Sequence, residues 1–193
     1  MSLVLLQRLC AVLFPQVKYR QEARQQSRFS IAAYVSLRKS SWFPGRQLLL
    51  PECNVEAVHS VARSIFAEFG ELRISNGTFF HEADVTVVVG MPYPEDPDDS
   101  HTQFTTALYP HGLYSIGTLD DTREIFAAEN GVIYVWRLVR SSRDCPGWIE
   151  LEPVACNFDD ALERWLVPTV QRGETVGAKK LKWFDTEWRF VES

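Results

Sequence analysis

Two apolar runs meet at Asn130-Gly131 in the stretch TREIFAAENGVIYVWRLV. No other feature restricts the fold as tightly. Asn-Gly supplies positive φ at little steric cost, so the pair predicts a β-hairpin closed by a type I′ turn. The segments around it extend the pattern. ADVTVVVG is a short β-branched run, and GLYSIGTL and WIELEPVA read as further strands.

The segments before this β region read as helices. Residues 3–14 predict a short helix ending near Pro15, and KYRQEARQQS a linker or a solvated helix. A helix then starts at Ser27 or Ser30 with Ile31, Tyr34 and Val35 facing inward, and Pro44-Gly45 breaks it. Asn54 is a candidate cap for the next helix, in which Val58, Val61, Ala62, Ile65 and Phe69 recur at three- and four-residue steps. Glu56, His59 and Arg63 fall on its other face. Gly70 suits a left-handed helix end, and Leu72 and Ile74 then alternate with Arg73 and Ser75 as in a half-buried strand. NFDDALERWLVP predicts a closing helix capped by Asn157, with Asp159 and Asp160 in its first turn and Phe158, Leu162, Trp165 and Leu166 inward. Helices, then antiparallel strands, then a helix give an α+β order: a single domain with a mainly antiparallel central sheet and flanking helices. At 193 residues and 46% hydrophobic, the chain holds one core and is short for two.

Charge is distributed unevenly. Residues 51–168 hold 20 acids against 7 arginines, a net of −13, while the flanks carry 13 basic residues against 5 acids, a net of +8. An acidic middle repels nucleic acid and attracts cationic surfaces. Its densest parts are Glu95, Asp96, Asp98 and Asp99 in MPYPEDPDDS, and the pair Asp120-Asp121. The simplest role for these acids is a hydrated surface, with docking of a basic partner second. No apolar run is long enough to span a bilayer. The opening MSLVLLQRLCAVLFPQ has no basic n-region and no small-residue cleavage site, which favours an amphipathic helix over a signal peptide. Cys10, Cys53, Cys145 and Cys156 are scattered without a CxxC pair, as expected of reduced thiols in a cytoplasmic protein.

Chemistry-bearing motifs are weak. HEAD, from His81 to Asp84, gathers an imidazole and two carboxylates, but a strand starting at Asp84 would send His81 and Asp84 to opposite faces. PEDPDD has the composition of a cation loop without its alternate-ligand spacing or its glycine. Cys145 and Cys156 have no evident basic activator, and Ser141 and Ser142 no partner base. Arg137, Arg140 and Arg143 cluster after the hairpin and read as internal charge balance. A hydrolase built on His81 or Cys145 finds no converging partners in the sequence, and no catalytic, cofactor-binding or metal-ligating residue is assigned.

Several pieces together resemble a known family. SLRKSSWFPGRQL is similar to the Trp-x-Pro-Gly-Arg entry of the SUKH superfamily, in its third immunity-protein subfamily. IFAEFGELRI resembles that family's helix-to-strand signature, LYPHGLYSIG with IFAAENGVIYVW its strand region, and NFDDALERWLVP its closing helix. The family often shows a second glycine after Phe-Gly, where this chain has Glu71. The resemblance covers about residues 29–168, leaving 1–28 as a helical, basic N-terminal extension and 169–193 as an aromatic-rich C-terminal tail. It implies a non-enzymatic, cofactor-free cytoplasmic immunity protein that binds and neutralises a polymorphic toxin. The expected partner is a basic protein toxin such as a nuclease, with no direct contact to nucleic acid or membrane. A general protein-interaction module on the same fold is the alternative. Trp42, Gly45, Glu68, Phe69 and Gly70 would then shape the fold, and Glu95, Asp96, Asp98, Asp99, Asp120 and Asp121 would be the candidate contact residues.

Overall fold

The computed structural model describes residues 15–26, 28–50, 58–76, 85–90, 108, 112–139, 148–167, 180–184 and 187–191. Four helices and eight strands lie within them. The helices are α1 (Pro15–Ala23), α2 (Ile31–Lys39), α3 (Ser60–Phe69) and α4 (Phe158–Leu166). The strands are β1 (Arg73–Ser75), β2 (Thr86–Val89), β3 (Leu113–Leu119), β4 (Arg123–Ala128), β5 (Ile133–Val139), β6 (Trp148–Ala155), β7 (Lys180–Phe184) and β8 (Glu187–Val191). Every strand pairs antiparallel with its chain neighbour, so the sheet order is β1 through β8 without a crossover. The layout is α+β in one domain, as the element order predicts.

The main core lies between one face of this sheet and the helices. Ile74, Val87, Val89, Ile116, Ile125, Ala127, Ile133 and Ala155 come from the strands; Leu37, Phe66, Phe69, Leu162 and Leu166 come from the helices. Strand residues alternate faces, so Leu113, Phe126, Ala128, Tyr134 and Leu151 form a second buried cluster with Leu108 on the other side. Glu124 is buried on that side too and accepts a hydrogen bond from the Ser115 hydroxyl. The β3–β4 pairing slips by one residue between Ser115 and Gly117. Gly117 sits at φ +151, and a Cβ there would lie 2.0 Å from the Val88 carbonyl oxygen.

Local structure departs from expectation in four places. The β4–β5 hairpin lies where Asn130-Gly131 puts it, but only Gly131 has positive φ (93°). Ala127 pairs with Ile133, and Gly131 N donates to Ala128 O, so the loop spans three residues as a type I turn with a glycine bulge. Gly70 is extended (φ −51°, ψ 146°) rather than left-handed. With Glu71 at φ 62° and Leu72 N bonded to Phe69 O, residues 69–72 make a type II turn whose left-handed position is Glu71. The third helix starts at Ser60, not at Asn54, which lies outside the described residues; its cap is His59, whose Nδ1 accepts from Ala62 N. That leaves Nε2 to donate to Ala127 O at 2.9 Å, so His59 ties α3 to β4 and does not lie on a solvent face. In α2, capped by Ser30, the buried residues are Ala33, Tyr34, Ser36 and Leu37, while Ile31 is exposed.

Described segments of both flanks join the body. Helix α1 packs on α2, and β7 pairs with β6 through Glu150↔Lys182 and Leu151↔Leu181. Residues 3–14 and Pro168 lie outside the described residues.

Candidate functional site

Three of the segments that carry the family resemblance meet at one place. Helix α2 ends in a Schellman motif: Ser41 has φ 69°, Trp42 N bonds to Leu37 O and Ser41 N to Arg38 O. This ending turns the Trp42 ring into the core, where it is 2% exposed. The ring stacks on Phe69 at 6.2 Å and meets Phe29 and Tyr34 edge-on at 5.5 and 5.8 Å. Pro44-Gly45 then forms a type II turn, with Gly45 at φ 79° and Arg46 N bonded to Phe43 O.

That turn aims Arg46 at the end of α3. Its Nη1 donates to Glu68 O at 2.7 Å and its Nη2 to Gly70 O at 2.8 Å. The guanidinium thus satisfies carbonyls left over at a helix C-terminus, where positive charge is also favoured by the helix dipole. Burial lowers the Arg46 pKa from its ordinary value, against the opposing pull of Glu71 and Glu68.

Glu68 is the centre of the arrangement. Its Oε1 accepts from Trp42 Nε1 at 3.2 Å and from Arg28 Nη1 at 2.5 Å, and its Oε2 accepts from Arg28 Nη2 at 3.0 Å. Arg28 bonds on its other edge to Asp159 at 2.5 and 2.8 Å. It also lies 5.0 Å over Phe29 and 5.8 Å over Phe69. The Asp159 bond raises the Arg28 pKa, burial opposes it, and Glu68 adds to the rise. A knot of Trp42, Arg46, Glu68, Arg28 and Asp159 therefore joins the start of α2, the end of α3 and the first turn of α4. Trp42, Gly45, Glu68, Phe69 and Gly70 frame it: Glu68 is occupied by Trp42 and Arg28, and the Glu68 and Gly70 carbonyls by Arg46. Arg28 and Asp159 escape a reading by motif, because Arg28 lies 40 residues from Glu68 and 131 from Asp159 in the chain.

The acidic candidates divide. Glu95, Asp96, Asp98 and Asp99 lie outside the described residues. Asp120 and Asp121 form the β3–β4 turn, at φ 55° and 56°. Asp120 accepts from Thr86 N at 2.9 Å and from Arg123 at 2.6 Å, while its own N–H donates to Thr86 O. Asp121 takes a two-pronged bond from Arg73 at 2.9 and 2.7 Å. That bond holds the Asp121 carboxyl below its ordinary range. The pair thus pins the hairpin tip to β1 and β2, with its charge matched by two arginines.

His81, Glu82, Asp84, His101, His111, Cys145, Ser141, Ser142, Arg140 and Arg143 lie outside the described residues, and Arg137 is described by its backbone alone. Cys156 is an exposed free thiol. Among the described residues no group of three or more His, Cys, Asp or Glu side chains could hold a metal ion. No helix among them is long and apolar enough to cross a membrane. Comparison with protein-family models, with curated proteins and with solved structures gives no match for the chain.

Proposed function

We propose that the chain is a non-enzymatic, cytoplasmic protein-binding domain of SUKH type, acting as an immunity protein that neutralises a basic toxin such as a nuclease. One observation carries the reading. The Trp-Phe-Pro-Gly-Arg and Glu-Phe-Gly segments of the resemblance, distant in sequence, are joined directly by Trp42–Glu68, Arg46–Glu68 and Arg46–Gly70 bonds. Residues consumed in this way hold a scaffold together and leave contact chemistry to loops. The left-handed conformation of Glu71 falls at the position where that family often carries glycine, which adds to the same reading.

Steering of a basic partner then rests on residues 95–99, since Asp120 and Asp121 are matched internally. The partner to test is a toxin encoded beside this chain. Replacing Glu95, Asp96, Asp98 and Asp99 together with their amides should slow its association about tenfold or more at low salt and flatten the salt dependence. Stopped-flow association rates across an ionic-strength series measure this. An unchanged rate at low salt overturns the acidic surface, and failure of the wild-type chain to bind overturns the toxin reading itself.

A further inference from the structure

We propose that α1 is a salt-sensitive strap over α2 that opens while the rest of the domain stays folded. The sequence of α1, PQVKYRQEA, carries no apolar stripe of helical period. Among its described side chains only Ala23 is buried; Lys18 and Arg20 are exposed, and Tyr19 and Glu22 half-buried. Apart from Ala23, the attachment made by these described side chains is therefore polar, and it converges on one carboxylate. Glu22 accepts from the Tyr34 hydroxyl at 3.3 Å and lies 3.1 Å from Arg38 Nε. Lys18 stands 3.8 Å from the same carboxylate, and the Arg38 guanidinium lies 5.1 Å over the Tyr19 ring.

The chain just beyond α1 is held differently. Gln26 Nε2 donates to Ala23 O and Phe29 O, and its Oε1 accepts from Arg28 N and Phe29 N. Phe29 is buried against Trp42, and Arg28 is clamped by Glu68 and Asp159. Gln26 and residues 28–30 thus form an anchor from which α1 hangs by partly exposed charges. Partly exposed ion pairs are weakened by salt, and elements with few buried apolar contacts open below the free energy of global unfolding. Trp42 and the Ser30 cap hold α2 through groups outside α1, and those contacts remain when α1 opens. Opening bares the Tyr34 phenol and the Arg38 guanidinium, a surface that the closed strap keeps covered.

Hydrogen–deuterium exchange on the full chain tests this, with α3 peptides as the internal reference. Raising salt should speed exchange across residues 15–23 and leave 60–69 unchanged. Glu22→Gln should speed α1 by about fivefold or more at low salt and abolish its salt response. Lys18→Gln, which alters only a surface pair within α1, should leave α1 near wild type. The proposal falls if α1 protection ignores both salt and Glu22→Gln, or if α1 and α3 lose protection together.

Discussion

Ser41, Glu71, Asp120 and Asp121 hold positive φ without being glycine, and each sits where an element ends or turns. For an ordinary residue that conformation costs on the order of 1–2 kcal/mol. Ser41 delivers Trp42 to the core and Glu71 reverses the chain from α3 into β1, so the cost is offset by what the turn places. Glu71 is exposed, and apart from its through-space attraction to Arg46 its carboxylate makes no hydrogen bond or ion pair among the described residues. Glu71→Gly should therefore raise stability by about 0.5–1 kcal/mol, the relief of strain less the added freedom of the unfolded chain. Gly117 is the opposite case. A methyl group there meets the Val88 carbonyl at 2.0 Å inside a paired sheet, so Gly117→Ala should cost about 3 kcal/mol or more. Urea midpoints of the two variants should move in opposite directions; a loss in the first or no change in the second contradicts the turn and bulge geometry. The sequence marks Gly131 and Gly45 correctly because Asn-Gly and Pro-Gly are local signals. It misplaces the left-handed residue after α3, because a type II turn is fixed by the Leu72–Phe69 bond and by where β1 must start, not by the glycine nearest the helix end.

At the scale of elements, the β3–β4 hairpin shows how a charge pattern becomes a structural joint. Arg73 of β1 reaches the Asp121 turn, and Arg123 closes on Asp120. The Asp121 carboxyl is depressed by Arg73 and both groups are well exposed, so the contribution is modest and screened. Its sign is definite. A carboxylate with a lowered folded pKa adds stability above its unfolded value near 4, and that stability is lost as pH falls through the lowered value. Arg73→Gln should lower the urea midpoint near neutral pH, and the gap to wild type should close as pH falls below the ordinary carboxylate range. A gap that persists unchanged in acid assigns the loss to packing of the Arg73 stem instead. The acids of this turn stand out in the sequence, but their partners do not: Arg73 is 48 residues from Asp121, and only the sheet order brings them together. Element existence is far more legible. The closing helix has the Asn157 cap and the inward Phe158, Leu162, Trp165 and Leu166 that its spacing predicts, because both signals lie within the one short segment from Asn157 to Leu166.

Over the whole molecule, the contrast between an acidic middle and basic flanks does not correspond to separate bodies. Arg28 and Arg38, from the basic N-terminal part, are spent on Glu68, Asp159 and Glu22, and Arg46 on helix-end carbonyls. The C-terminal basic segment likewise lies in strands, with Lys180, Lys182 and Arg189 at register positions of the β7–β8 hairpin. The period-two alternation of Lys180-Leu181-Lys182-Trp183 is a strand signal in the sequence. It is easily read as a loose aromatic tail, because no Asn-Gly or Pro-Gly pair announces the reversal before Glu187. This placement changes what truncation does. Removing residues 168–193 takes β7 from β6 and leaves the backbone groups of Glu150 and Leu151 without their sheet partner. Leu151 is fully buried in the second apolar cluster, so its surroundings loosen as well. An unpaired strand edge beside apolar residues is a template for association with another chain. The truncated protein should have a urea midpoint lowered by the equivalent of about 2–4 kcal/mol and should self-associate as concentration rises, measured by light scattering after size-exclusion chromatography. A truncated chain that stays monomeric with an unchanged midpoint would make the hairpin an appendage rather than part of the sheet, and only then would its deletion isolate a binding role for the tail.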